Sequence, residues 1–110
     1  MVEQTLELDM IFRSLSDSTR RDILKQVAKK EQSIGDLAHS YNLTFAGVAK
    51  HISVLQSAGL IQKRREGKQQ IVTIVPKAII TANKYLKQYE KMWESRFDAL
   101  DDLLRSKKRK

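Results

Sequence analysis

The sequence predicts a mainly α-helical chain with one small β-hairpin, in the order α-α-α-α-β-β-α. Three observations carry that prediction. Two capped, apolar-periodic segments flank a turn near Asn42 and Leu43. Two β-branched runs flank Glu66-Gly67-Lys68. No proline or glycine interrupts the chain after Pro76.

The first helix is marked by Leu6, Leu8, Met10, Ile11 and Leu15, a loosely periodic apolar set. Asp17 is a fitting N-cap for the second, where Ile23, Leu24, Val27 and Ala28 recur until Lys29-Lys30-Glu31-Gln32 breaks the pattern. Ser33-Ile34-Gly35-Asp36 has the spacing of a capping box and starts a short third helix through Leu37, Ala38 and Tyr41. Asn42 tolerates the left-handed backbone of a tight turn. Thr44 then caps a fourth helix with Val48, Ile52 and Leu55 on one face, and Ala58-Gly59-Leu60 ends it with a glycine C′ residue.

Residues 60–65 and 69–75 form the hairpin of a wing. Pro76 suits the first turn of a last helix over about residues 77–105, followed by a basic tail from Arg105 that is expected to fray. These elements compose a winged helix-turn-helix. At 110 residues with 41% hydrophobic content the chain buries one core, so residues 1–110 are expected to be a single domain.

Charge points to the partner. Lys and Arg number 21 against 13 Asp and Glu, a formal net charge of +8, which favours a polyanion. Between Thr44 and Val75 the charged residues are Lys50, Lys63, Arg64, Arg65, Lys68 and the single acid Glu66, so the fourth helix and wing form the positive face. A helix in the major groove presents its first turns to base edges. The residues there not needed for the core are Thr44, Phe45, Ala46, Gly47, Ala49, Lys50 and Ser53. Lys50 can donate to guanine acceptors, with phosphate contact or a solvated lysine as alternatives. Phe45 suits a thymine methyl, Gly47 and Ala49 allow close approach, and the Thr44 hydroxyl has a competing duty as a cap. Arg64, Arg65 and Lys68 suit phosphates or a minor groove. His51, beside the core face, is expected to be structural, and His39 a surface residue.

Other chemistries find little support. Without cysteine there is no disulfide or thiolate metal site, and two histidines offer no nucleophile-base set, so no enzyme, metal or cofactor is expected. The acidic first ten residues do not resemble a secretion signal, and no stretch approaches a membrane span, which makes the cytoplasm the expected compartment. A membrane-surface role for the basic end is opposed by Asp98, Asp101 and Asp102. Trp93, Phe97, Leu100 and Leu104 step by four, three and four, the spacing of a core or dimer seam. The last helix carries more apolar surface than one small domain covers, implying a partner helix.

Together, residues 15–24, Ser33-Ile34-Gly35-Asp36-Leu37-Ala38, Leu43 through Leu55, Ala58-Gly59-Leu60 and Arg64 through Lys68 resemble the ArsR family of winged-helix repressors, over about residues 10 to 105. The resemblance implies a homodimer through the first and last helices, with Leu6, Met10, Tyr85, Tyr89, Trp93, Phe97, Leu100 and Leu104 at the interface. It also implies repression relieved by a signal, an effector or regulatory protein that the sequence does not identify, and the two-fold symmetry of a dimer predicts an inverted-repeat operator in double-stranded DNA. Where metal-sensing relatives place a cysteine pair, this chain has Ser33 and Gly35, and its last helix has no histidine. The match is to the branch without metal ligands. The alternative is a winged-helix protein-protein interaction module without specific DNA binding, docking a different helical protein on the Trp93 to Leu104 stripe.

Overall fold

The computed structural model describes residues 2–108, with side chains described over residues 5–106. Its order is α1 (Val2–Ser14), α2 (Ser18–Lys29), β1 (Gln32–Ser33), α3 (Ile34–Tyr41), α4 (Phe45–Ser57), β2 (Ile61–Glu66), β3 (Gln69–Ile74) and α5 (Pro76–Lys108). The described residues fall into two units, one ending at Ile80 and the other beginning at Thr81.

In the first unit the predicted caps determine where helices start. Asp17 accepts from the Arg20 amide at 3.0 Å, Ser33 from Asp36 at 3.0 Å and Thr44 from Gly47 at 3.0 Å, each satisfying an amide that has no partner within its own helix. Asn42 ends α3 with φ 53° and ψ 41°. The end of α4 is a full Schellman motif: the Gly59 amide donates to Gln56 and the Leu60 amide to Leu55, with Gly59 at φ 78° and Leu60 buried as the apolar stop.

The corner between α1 and α2 is held by arginines. Arg20 donates from Nε to the Ser14 carbonyl at 2.6 Å and from Nη2 to that of Arg13 at 3.1 Å, and Arg21 donates to Leu15 at 2.8 Å. These carbonyls at the end of α1 have no onward helix to bond them, so two cations on α2 act as their cap. Tyr41 on α3 hydrogen-bonds the Asp22 carboxylate on α2, and burial together with that bond pushes the phenol above its ordinary pKa.

The core is Ile11, Ile23, Leu37, Val48, Ile52, Leu55, Leu60 and Val72, all fully buried. Helices α1 to α4 and the sheet each contribute to it.

The sheet differs from the expected hairpin in having three strands, ordered β1-β3-β2 and antiparallel. The added strand pairs Gln32 with Val72 and Ser33 with Ile71. Two residues carry no alternation to detect, and an N-cap such as Ser33 already has the extended backbone of a strand, so one residue serves both elements. At the wing tip Glu66 faces Gln69, leaving Gly67 and Lys68 as a two-residue loop. Positive φ occurs at the first of these, Gly67 at 60°, as a II′ turn requires.

Helix α5 is longer at both ends than the expected 77–105. Where the basic tail is expected from Arg105, the helix continues to Lys108, and Arg105 pairs with Asp101 one turn back at 2.9 Å. The last two residues of the expected tail, at positions 109 and 110, lie outside the described residues.

Candidate nucleic-acid interface

Helix α4 divides cleanly into two faces. Val48, Ile52 and Leu55 are fully buried, so the opposite face must carry any contact the helix makes outside the domain. That face presents Phe45, Ala46, Lys50 and Ser53 as exposed residues, with Gly47 and Ala49 half-buried between them. Ala46, Gly47, Ala49, Lys50 and Ser53 line one shallow depression. Phe45 is 56% exposed and the neighbouring Leu43 42%, large apolar surfaces for a polar environment.

Thr44, expected at the interface, is exposed, and its hydroxyl oxygen is engaged as the cap. Gly47 is tied to the same cap, because a Cβ there would approach Thr44 Oγ1 to 3.1 Å. His51 is half-buried with Nδ1 3.9 Å from Asp17, so it faces the start of α2. The Asp17 carboxyl is held below its usual range, chiefly by the Arg20 amide it accepts from, with smaller help from His51. His39 lies exposed on α3.

The wing departs from a simple row of free cations. Arg64 forks onto Glu31 at 2.8 and 3.1 Å and lies 3.6 Å from Glu66. The guanidinium holds Glu31 below the usual carboxylate range, and Glu31 in turn raises Arg64. Arg65 donates from Nε to the Gly67 carbonyl at 3.2 Å, which braces the turn. Lys63 and Lys68 are exposed on the same hairpin. Sequence reasoning missed Glu31, which sits 33 residues from Arg64. No local spacing could have signalled that pair. The arginines Arg20 and Arg21 were visible only as part of a motif, without their capping role.

In the second unit, Tyr89, Trp93, Phe97, Leu100 and Leu104 are exposed along α5, Trp93 and Phe97 at 64% each. Tyr85 and Tyr89 meet edge to face at 5.3 Å with their hydroxyls 2.9 Å apart. Leu86, Tyr89, Trp93 and Phe97 line an apolar hollow rimmed by Glu90 and Glu94. In the first unit Leu6 and Met10 are exposed on α1. Among the described residues no group of three or more His, Cys, Asp or Glu could hold a metal ion, and no helix is long and apolar enough to cross a membrane.

Residues 17–63, spanning α2 through the start of β2, match the family described as bacterial regulatory protein, arsR family. The chain is 35% identical over 92 residues to the uncharacterized HTH-type transcriptional regulator YuzN of Bacillus subtilis, covering 77% of this chain and 92% of that protein. It is 30% identical over 60 residues to the transcriptional repressor SdpR of the same organism, covering 54% of this chain and 67% of the relative. Among solved structures, the ArsR-like transcriptional regulator from Rhodococcus sp. RHA1 superposes with a TM-score of 0.73 at 26% identity, over 90% of this chain and 93% of that one.

Proposed function

The chain belongs to the arsR family of bacterial regulatory proteins, and from that premise we propose that it represses transcription as a homodimer bound to an inverted-repeat operator. It is a winged helix-turn-helix transcriptional regulator. The observation that carries the proposal is the outward face of α4, where Lys50 stands among small residues in the same unit as the cationic wing. A helix entering the major groove needs that combination of close approach and positive charge.

In this account Phe45, Gly47, Ala49, Lys50 and Ser53 approach the base edges. Thr44 reaches a phosphate through its hydroxyl hydrogen while its oxygen keeps the cap. Arg64, Arg65 and Lys68 contact the backbone, and the exposed stripes of α1 and α5 are covered by a second copy of the chain. Residues 1–110 act as one winged-helix domain with a dimerising last helix, working in the cytoplasm without a catalytic role. Repression is supported by the likeness to a relative named as a repressor. An effector or partner protein relieves it.

While Arg64 is forked onto Glu31, two of its five N–H donors are used and its charge is largely compensated, which weakens any contact it makes with a phosphate. Glu31→Gln is therefore expected to tighten DNA binding on the order of three-fold at low salt, the worth of an exposed ion pair. It should also steepen the salt dependence. Anisotropy titrations at two salt concentrations read both effects, and weaker binding by the variant would show that the pair braces the wing.

The function is tested by selecting duplexes from a random pool with the purified chain. Enrichment of an inverted repeat with half-sites about one helical turn apart is expected. A pool that stays random contradicts sequence-specific binding.

A further inference from the structure

Resting on the placement of α4 in a major groove, we propose that this chain reads its operator chiefly through thymine methyl groups, contacted by Phe45, Ala46 and Ala49.

The inference begins with the donors and acceptors that α4 offers. Guanine is read by an arginine or a lysine, adenine by an asparagine or glutamine, and cytosine by a carboxylate. Over the first three turns of α4, residues 45–55, Lys50 is the single residue of these types. Gln56 is exposed but lies at the far end of the helix, beside its terminal residue Ser57. His51 is turned toward Asp17, and the Thr44 oxygen is engaged by Gly47. The polar side chains left on the outward face are Lys50 and Ser53. One lysine and one serine leave most base pairs of a half-site without a hydrogen-bonding reader.

The apolar inventory of the same face is unusual in the opposite sense. Phe45 stands 56% exposed at the first position of the helix. Ala46 is exposed, and Ala49 follows Phe45 by four residues and Ala46 by three, so the three share one side of the helix. Leu43, 42% exposed, precedes them in the turn. In the major groove the thymine 5-methyl is the one apolar group that a base edge presents. An apolar helix face bordered by Lys50 is complementary to a thymine-bearing groove between phosphates. The small alanines let the helix sit deep enough for Phe45 to cover a methyl.

The test replaces each half-site thymine of the selected operator by deoxyuridine, which removes the methyl and preserves pairing. At one or more positions, affinity is expected to fall about four-fold for one half-site and about fifteen-fold for both, from the burial of one methyl each. A scrambled duplex with the same replacements should bind as before. Phe45 is exposed, so Phe45→Ala should unfold at the native temperature, bind the thymine operator more weakly and lose its sensitivity to deoxyuridine at the position it covers. An operator bound selectively, yet indifferent to deoxyuridine at every position, overturns the inference and leaves the proposed function standing. Failure to bind any sequence selectively overturns both.

Discussion

Trp93→Glu is expected to turn the chain into a monomer in sedimentation equilibrium and to weaken binding to an inverted-repeat duplex about a hundred-fold or more, the scale of losing a central aromatic anchor on both sides of a symmetric interface. Trp93 and Phe97 are each 64% exposed on α5, and the Leu100 and Leu104 side chains continue the same stripe. Exposed aromatic and leucine surface of this extent marks a site of interaction with another protein surface. A second copy of the same helix supplies a matching stripe by symmetry, and its 4-3-4 spacing is that of a two-helix seam. A carboxylate at the centre of that seam would be buried without a partner. Because Trp93 is exposed within one chain, the variant should keep its helical circular dichroism. A variant that stays dimeric would place the seam elsewhere.

Lys50→Ala is expected to leave the dimer and the fold intact while lowering operator affinity about thirty-fold or more, given about 1 kcal/mol or more for each of two symmetric contacts. Lys50 is the single charged side chain between Phe45 and Ser57 and is exposed there. Its loss removes positive charge from the centre of the proposed interface. The salt dependence separates two roles. A base contact is lost mainly as discrimination against the scrambled duplex, whereas a phosphate contact is lost equally on all sequences with a smaller salt slope. Unchanged binding would remove Lys50 from the interface and leave the readout to other residues.

Much of the fold was legible because its punctuation is local. Asp17, Ser33 and Thr44 each bond an amide three residues on, and Asn42 and Gly59 adopt the left-handed backbone their positions call for. Such signals lie within one helical turn, where residue type and spacing suffice. The features that escaped are long-range. Strand β1 exists because Val72 and Ile71 offer a free ladder edge to two residues that have no strand pattern of their own. Glu31 meets Arg64 only after the whole helix-turn-helix has folded between them. Counting charges along the wing treated Arg64, Arg65 and Lys68 alike, whereas two of the three have intramolecular partners. On the α4 side, periodicity alone separated the buried Val48, Ile52 and Leu55 from an outward face, and the residues left over by the core became the candidate site.

The most direct test of a dimeric, sequence-specific regulator is a fluorescence anisotropy titration of the native chain against a duplex bearing the selected inverted repeat and against its scrambled counterpart, each at two salt concentrations. The account predicts tight binding to the repeat at two chains per duplex, much weaker binding to the scramble, and loss of affinity for both as salt rises. Equal affinity for the two duplexes at both salts would contradict it and favour the chain as a protein-interaction module.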